Sequence, residues 1–244
     1  MPNPAAVVIG AGDATGGAIA RAFAAEGLTA CVNRRVRNAD QLEALAQSIR
    51  DAGHQARAFP GDAREEDDMV ALFDRVEAEV GPVEVAVFNI GANVNFPITE
   101  TSVRVYTKVW EMACLGGFLM GREAAKRMGP RGRGTIIFTG ATASLRGGSG
   151  FSAFSGAKGA LRMLAQSMAR ELGPQGIHVA HTIIDGAIDT DFIRQRMGDG
   201  FDEAKAKDLV LNPEAIAANY VMLHNQPKSA WTHELDLRPW GEKW

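Results

Sequence analysis

"VVIGAGDATGGAIARAF", residues 7–23, joins a short apolar run to an amphipathic stretch through a glycine-rich turn. Val7, Val8 and Ile9 read as the end of a buried strand, and Ile19, Ala20 and Phe23 recur at helical spacing beyond the turn. Gly10, Gly12 and Gly16 lie between the two. Glycines there let the backbone turn sharply and approach a pyrophosphate, which the positive end of the following helix attracts. A bare glycine pattern also makes tight structural turns. Strand, turn and helix coincide here at the start of an alternating chain, and that context favours a dinucleotide site.

The alternation continues outward from this stretch. After the run at 5–9, β-like runs at 28–33, 55–62, 82–89, 134–140, 176–186 and 230–237 alternate with helical segments, one of them long, from Pro97 to about Met128. Strand cores that are almost continuously apolar predict a parallel sheet covered by helices on both faces. No linker, repeat or low-complexity segment divides the 244 residues, so 1–244 reads as a single domain. The segment Thr190–Asn212 is charged, rich in Met and Phe, and interrupts the pattern. It reads as a mobile flap over a site. Its Phe192, Ile193, Met197 and Phe201, together with Trp240, would line an apolar substrate cleft.

Composition narrows the partners. Hydrophobic content of 46% and charged content of 23% are those of an ordinary globular protein, and a net charge of -3 gives no reason to expect nucleic acid or an anionic membrane. Cys31 and Cys114 fall in different predicted elements without metal-like spacing, so no metal site is expected and the thiols read as reduced. The N-terminal "MPNPAAVVIG" has no basic region or cleavage site, and no apolar run approaches a membrane span. The expectation is a cytoplasmic protein with a small-molecule substrate.

The end of the second strand bears on the cofactor. An acidic residue there bonds the ribose 2′-OH of NAD, whereas arginine accommodates a 2′-phosphate. "VNRRVR" carries Arg34, Arg35 and Arg37, with no acid before Asp40, which favours NADP(H) over NAD(H). Asp62, in "PGDA" after the third strand, is placed either to bond an adenine edge or to cap the next helix.

Further motifs follow in a set order: "GDAREED" after strand three, "NIGA" (89–92) after strand four, Phe154 and Lys158 at i,i+4, and Asp185–Gly186 with Thr190. In this order and spacing the chain resembles the short-chain dehydrogenase/reductase family over nearly its whole length. The resemblance implies a Rossmann-like, doubly wound α/β sheet of about seven parallel strands, with NAD(P) across their carboxyl ends. It implies cofactor contacts from Gly10, Gly12, Gly16, Arg34, Arg35, Asp62, Asn89, Gly91, Lys158 and Thr190. It also implies a homo-oligomer, a tetramer or dimer, built on the two long helices that flank strand five.

The departures bear on chemistry. The family passes the substrate proton through a tyrosine hydroxyl, helped by a lysine, a serine and an asparagine. At those positions the resemblance puts Phe154, Lys158, Ala141 and Ala113, so only the lysine remains. An apolar floor would desolvate Lys158 and lower its pKa, leaving it either to bond ribose hydroxyls alone or to handle the substrate proton as well. Asp185, where the family has proline, reads either as an acid–base group or cation hook, or as a turn residue bonding its own backbone. Thr142 and Ser144 are ordinary loop polars or substitutes for the missing serine. Asn93 and Asn95 are candidates to line the pocket. Ser155 should point away, His181 should be a satisfied core residue, and Tyr106 and Tyr220 should lie away from the centre.

Two further features stand outside that set. Asp13 should cap the first helix, since an aspartate facing the phosphates would repel them. Exposed Trp240 and Trp244 would suit a subunit contact or reach into a neighbouring site.

Two functions follow. One is an oxidoreductase acting on a small organic carbonyl, imine or activated double bond by a non-standard proton route. The other is a nucleotide-binding protein of the same fold without redox chemistry.

Overall fold

Apolar pentapeptides with side chains alternating to opposite faces make strands that two layers of helices must cover. In the computed structural model, which describes residues 3–242, seven strands form one sheet in the order β3-β2-β1-β4-β5-β6-β7, and every pair is parallel. They are β1 (Ala5–Ile9), β2 (Thr29–Asn33), β3 (Ala56–Ala58), β4 (Val83–Phe88), β5 (Gly134–Thr139), β6 (Ile177–Ile184) and β7 (Glu234–Leu237). Val8, Val32, Val87 and Ile137 face one layer, formed by α1 (Thr15–Ala25), α2 (Ala39–Asp51) and α9 (Pro213–His224). Val7, Ile9, Phe88 and Phe138 face the other, formed by α3 (Glu66–Glu79), α5 (Gly116–Met128) and α6 (Ser152–Leu172). Each such side chain, fully buried, contributes roughly 1.5–3 kcal/mol. The doubly wound α/β architecture is the one expected.

β7 begins only at Glu234, after a turn at Lys228–Ala230, and two other elements differ from their expected bounds for local reasons. β3 stops at Ala58 instead of running to 62 because Pro60 has no N–H to extend the ladder. The long helical region begins only at α4 (Val103–Trp110), where Ser102 Oγ accepts from the Val105 amide, and passes through a π turn, Glu111–Leu115, into α5. The flap segment folds into two short helices, α7 (Asp191–Met197) and α8 (Gly200–Ala206).

Register brings the carboxyl ends of the central strands level: Ile9 lies beside both Asn33 and Phe88, Phe88 beside Phe138, and Thr139 beside Thr182. Gly10, Arg34, Asn89 and Gly140 therefore leave the sheet on one edge. The order reverses between β2-β1 and β1-β4, the point where open α/β sheets form a crevice. Among the described residues, no helix is long and apolar enough to cross a membrane, and no group of three or more His, Cys, Asp or Glu could hold a metal ion. Trp244 lies outside the described residues.

Candidate active site

The glycine turn opens onto the crevice with steric demands that glycine alone meets. Gly10 has φ +83°, and a Cβ there would stand 2.9 Å from the Asn89 carbonyl oxygen. A Cβ on Gly16 would stand 2.4 Å from the Gly10 carbonyl oxygen. Above Gly12 there is space, the Arg34 guanidinium carbon being nearest to such a Cβ at 3.9 Å. α1 has Ala14 at its N-cap and no side-chain cap, so its first amides are not taken by a neighbouring carboxylate. Asp13 does not cap the helix as expected; it is exposed and lines the crevice. The Gly10, Ala11 and Gly12 amides donate to backbone carbonyls, so the turn is a fixed backbone cradle whose open N–H donors are those of the first turn of α1.

Beside it, a cavity of about 280 Å³ forms between the ends of β2 and β3, lined by Arg34, Arg35, Arg37, Asp62 and Arg64 among others. Burial, then the neighbouring Arg37 cation, lowers the pKa of Arg35. Asp62 is held within its own turn. Its carboxylate accepts from Arg64 Nε at 2.9 Å, Nη2 at 2.5 Å and the Arg64 amide at 3.1 Å. These bonds to Arg64 hold the carboxyl below the usual range. Asp62 does not cap α3, whose N-cap is Glu65, with no side-chain cap bond. Four guanidinium groups against one engaged carboxylate make this end strongly cationic.

A larger cavity of about 780 Å³ shares Gly10, Gly12, Asn89, Ile90 and Gly91 with the first and extends over the ends of β5 and β6. At its floor Lys158 is only 2% exposed, and its Nζ donates to the carbonyls of Thr139 at 2.7 Å and Ile90 at 2.9 Å. The Phe154 ring centroid lies 5.9 Å from that nitrogen. Burial pushes the Lys158 pKa down to about 7, opposed by Cys114. Phe154, Ala113 and Cys114 are buried together in one apolar cluster, with half-buried Ala141 packed against it.

Cys114 is the member of the helical segment that couples electrically to Lys158: burial raises its thiol pKa and the lysine opposes that rise. Ala113, which the resemblance puts at the family's asparagine position, is buried beside it in the same π turn.

The remaining candidates separate. Thr190, Asn93, Phe192 and Ile193 line the large cavity; Met197, Phe201 and Trp240 do not. Phe201 is buried beneath the Arg194 guanidinium, 4.2 Å from its centroid, and Trp240 donates Nε1 to the Lys207 carbonyl at 2.9 Å. Asn95 bonds the Ser149 carbonyl instead of lining the cavity. Ser155 is a lining residue, against expectation, although its hydroxyl is buried and has no partner. Ser144 Oγ is occupied by the Ala141 amide.

Asp185 is 4% exposed and does not line the cavity, whereas its neighbours Ile184 and Gly186 do. Its Oδ1 accepts the hydroxyl of Thr142, a lining residue, and its Oδ2 lies 3.8 Å from Arg238 Nη2. His181 is a core residue satisfied on one side only. Nδ1 meets Glu234 at 3.0 Å, Nε2 is buried without a partner, and burial lowers the pKa to about 4. Neither tyrosine lines the cavity, and Tyr220 OH is bonded to Thr139 Oγ1 at 2.8 Å in the core.

Residues 4–199 match the family model for short chain dehydrogenase. The chain belongs to the short-chain dehydrogenase family. A solved short-chain dehydrogenase from Rhodopseudomonas palustris is 49% identical, with a TM-score of 0.84, and the match covers 98% of this chain and 100% of that one. Cis-4-hydroxycyclohexanecarboxylate dehydrogenase of Sinomonas cyclohexanicum is 33% identical over 189 residues, 77% of this chain and 74% of its own. Actinorhodin polyketide ketoreductase, solved with NADPH, has the same fold at 24% identity and a TM-score of 0.87, covering 97% of this chain and 96% of that one. Short-chain dehydrogenases with these names are oxidoreductases, and the cleft described above lies where the strand order of the family's sheet reverses.

Proposed function

We propose that this short-chain dehydrogenase is an NADP(H)-dependent oxidoreductase acting on a small organic carbonyl, imine or activated double bond, by a proton route without a tyrosine. One observation carries the reading: the glycine cradle, the arginine-lined cavity and Lys158 all open on one continuous crevice. Gly10, Gly12 and Gly16 would hold the pyrophosphate, and Arg34 and Arg35 a 2′-phosphate. Asn89, Gly91, Lys158 and Thr190 would line the nicotinamide side, with Asp62 fixing the turn through Arg64. When bound, the cofactor supplies or removes a hydride.

Lys158 has two donors fixed on carbonyls, which leaves an ammonium one N–H for a ribose hydroxyl or, through a water, for the substrate. Its depressed pKa suits either form near neutrality. Phe154 occupies the position of the family's proton-passing tyrosine, and the apolar cluster around it excludes water. Exposed Val103, Tyr106, Phe118 and Met163 on α4, α5 and α6 support assembly of copies through these helices, read out by the mass in solution.

Fluorescence titration with NADPH and NADH tests the cofactor site. A hydride-transfer screen over aldehydes, ketones, imines and enones tests the chemistry, with Phe154→Tyr alongside. NADPH should saturate at lower concentration than NADH, and at least one substrate class should turn over. Tight NADPH binding with no turnover of any class would favour a nucleotide-binding protein without redox chemistry.

A further inference from the structure

Thr142 opens the turn after β5 and lines the large cavity between Ala141 and Ala143, both apolar. Its hydroxyl proton is given to Asp185, a carboxylate 4% exposed at the end of β6. The Asp185 amide is anchored on the Leu237 carbonyl at 2.8 Å, and its second oxygen faces Arg238, which also pairs with Asp236. A hydroxyl has one proton to donate and two lone pairs to accept with. With the proton spent on Asp185, what Thr142 can offer a ligand is an acceptor. A ketone or aldehyde oxygen, itself an acceptor, finds no partner in it.

We propose that Thr142, oriented by Asp185, meets the reacting end of the substrate and selects one that carries N–H there: an iminium ion, reduced to its amine. This rests on the oxidoreductase reading above. In that step the iminium carbon accepts the hydride, the C=N π pair becomes the nitrogen lone pair, the nitrogen keeps its proton, and the reduced nicotinamide is left oxidised. No protein group has to deliver a proton, in keeping with the apolar surroundings of Phe154 and Ala141. The other cations lining this cavity do not compete for Thr142. Lys158 donates to backbone carbonyls, and Arg146 is exposed. Thr142 is the group touching substrate, and Asp185 is a positioning residue.

The test uses the whole protein with a five-membered cyclic imine, protonated at neutral pH, and cyclopentanone as the ketone of equal ring size. Calorimetric binding of pyrrolidine to the NADP-saturated protein provides a readout separate from turnover. The wild type should reduce the imine in preference. Thr142→Val should lower imine kcat/KM and pyrrolidine affinity by about 10- to 100-fold, the range of a hydrogen bond to a charged group, with NADPH affinity unchanged. Thr142→Ser should restore both. Asp185→Asn, whose amide can donate to Thr142 and free its hydroxyl proton, should shift preference towards the ketone.

A wild type that binds NADPH and prefers cyclopentanone, or a Thr142→Val protein with unchanged imine kinetics, overturns the inference and leaves the oxidoreductase reading standing. NADPH binding without turnover of the imine overturns the inference alone, and failure to bind NADPH overturns both.

Discussion

The two ends of the crevice were built by opposite means. At the β2–β3 end, Arg34, Arg35, Arg37 and Arg64 line a cavity with a single engaged carboxylate, and the uncapped first turn of α1 presents open donors. At the β5–β6 end one buried lysine lies beside the Phe154 ring and Cys114, and the hydroxyl of Thr142, a lining residue, is turned onto Asp185. The first end suits a highly charged ligand that any dinucleotide chemistry shares. The second is set by its apolar surroundings, since burial among them lowers the pKa of Lys158.

The comparison can be broken most severely at the shared turn. Gly16→Val would drive side-chain carbons into the Gly10 carbonyl, where a Cβ already falls 2.4 Å away. NADPH affinity should drop about 100-fold or more in a fluorescence titration. An unchanged affinity would remove the turn from the cofactor site.

Lys158→Met should abolish turnover and weaken NADPH binding about 10-fold or more. Retained turnover would sink the role given to this lysine. The same variant carries a pH signature. The lysine's folded pKa, about 7, lies below its ordinary 10.5, so between those values the unfolded chain binds more protons. The wild type should therefore gain stability relative to Lys158→Met as pH rises from about 7 towards 10.5, and lose it on the way down. Parallel melting curves at neutral and alkaline pH measure the difference.

Replacing both Arg34 and Arg35 with alanine touches only the cationic end. NADPH affinity should fall about 10-fold while NADH affinity stays level, the expected loss for charge-assisted contacts to a 2′-phosphate. Equal losses for the two cofactors would count against NADP preference.

The smallest effect is expected at Ala92, a non-glycine residue held at φ +72° in the loop after β4. Ala92→Gly should relieve a left-handed penalty of about 1 kcal/mol, partly offset by unfolded-chain entropy, so that thermal stability rises slightly and cofactor binding is unchanged.

Much of this was legible in the residues. Short, almost continuously apolar runs and period-3.6 apolar stripes placed all seven strands and the main helices, because a sheet covered on both faces demands them. The glycine spacing located the cradle for the same kind of reason, since backbone approach at Gly10 and Gly16 tolerates no Cβ. Errors arose where one local feature altered the count. Pro60 cut β3 short, and Ser102 set a later helix start than Pro97 suggested.

Side-chain pairing was the part that local pattern could not carry. Asp62 and Asp185 each had two readings in the sequence; Arg64 engages the first, and Thr142 with Arg238 the second. Arg64 stands two residues from Asp62, but Thr142 and Asp185 are 43 positions apart and meet only because β5 and β6 are neighbours in register. Strand and helix identity follow from short-range periodicity, which each segment carries within itself. The direction in which a hydroxyl spends its one proton depends on which distant strand end arrives beside it, and that is a property of the assembled sheet.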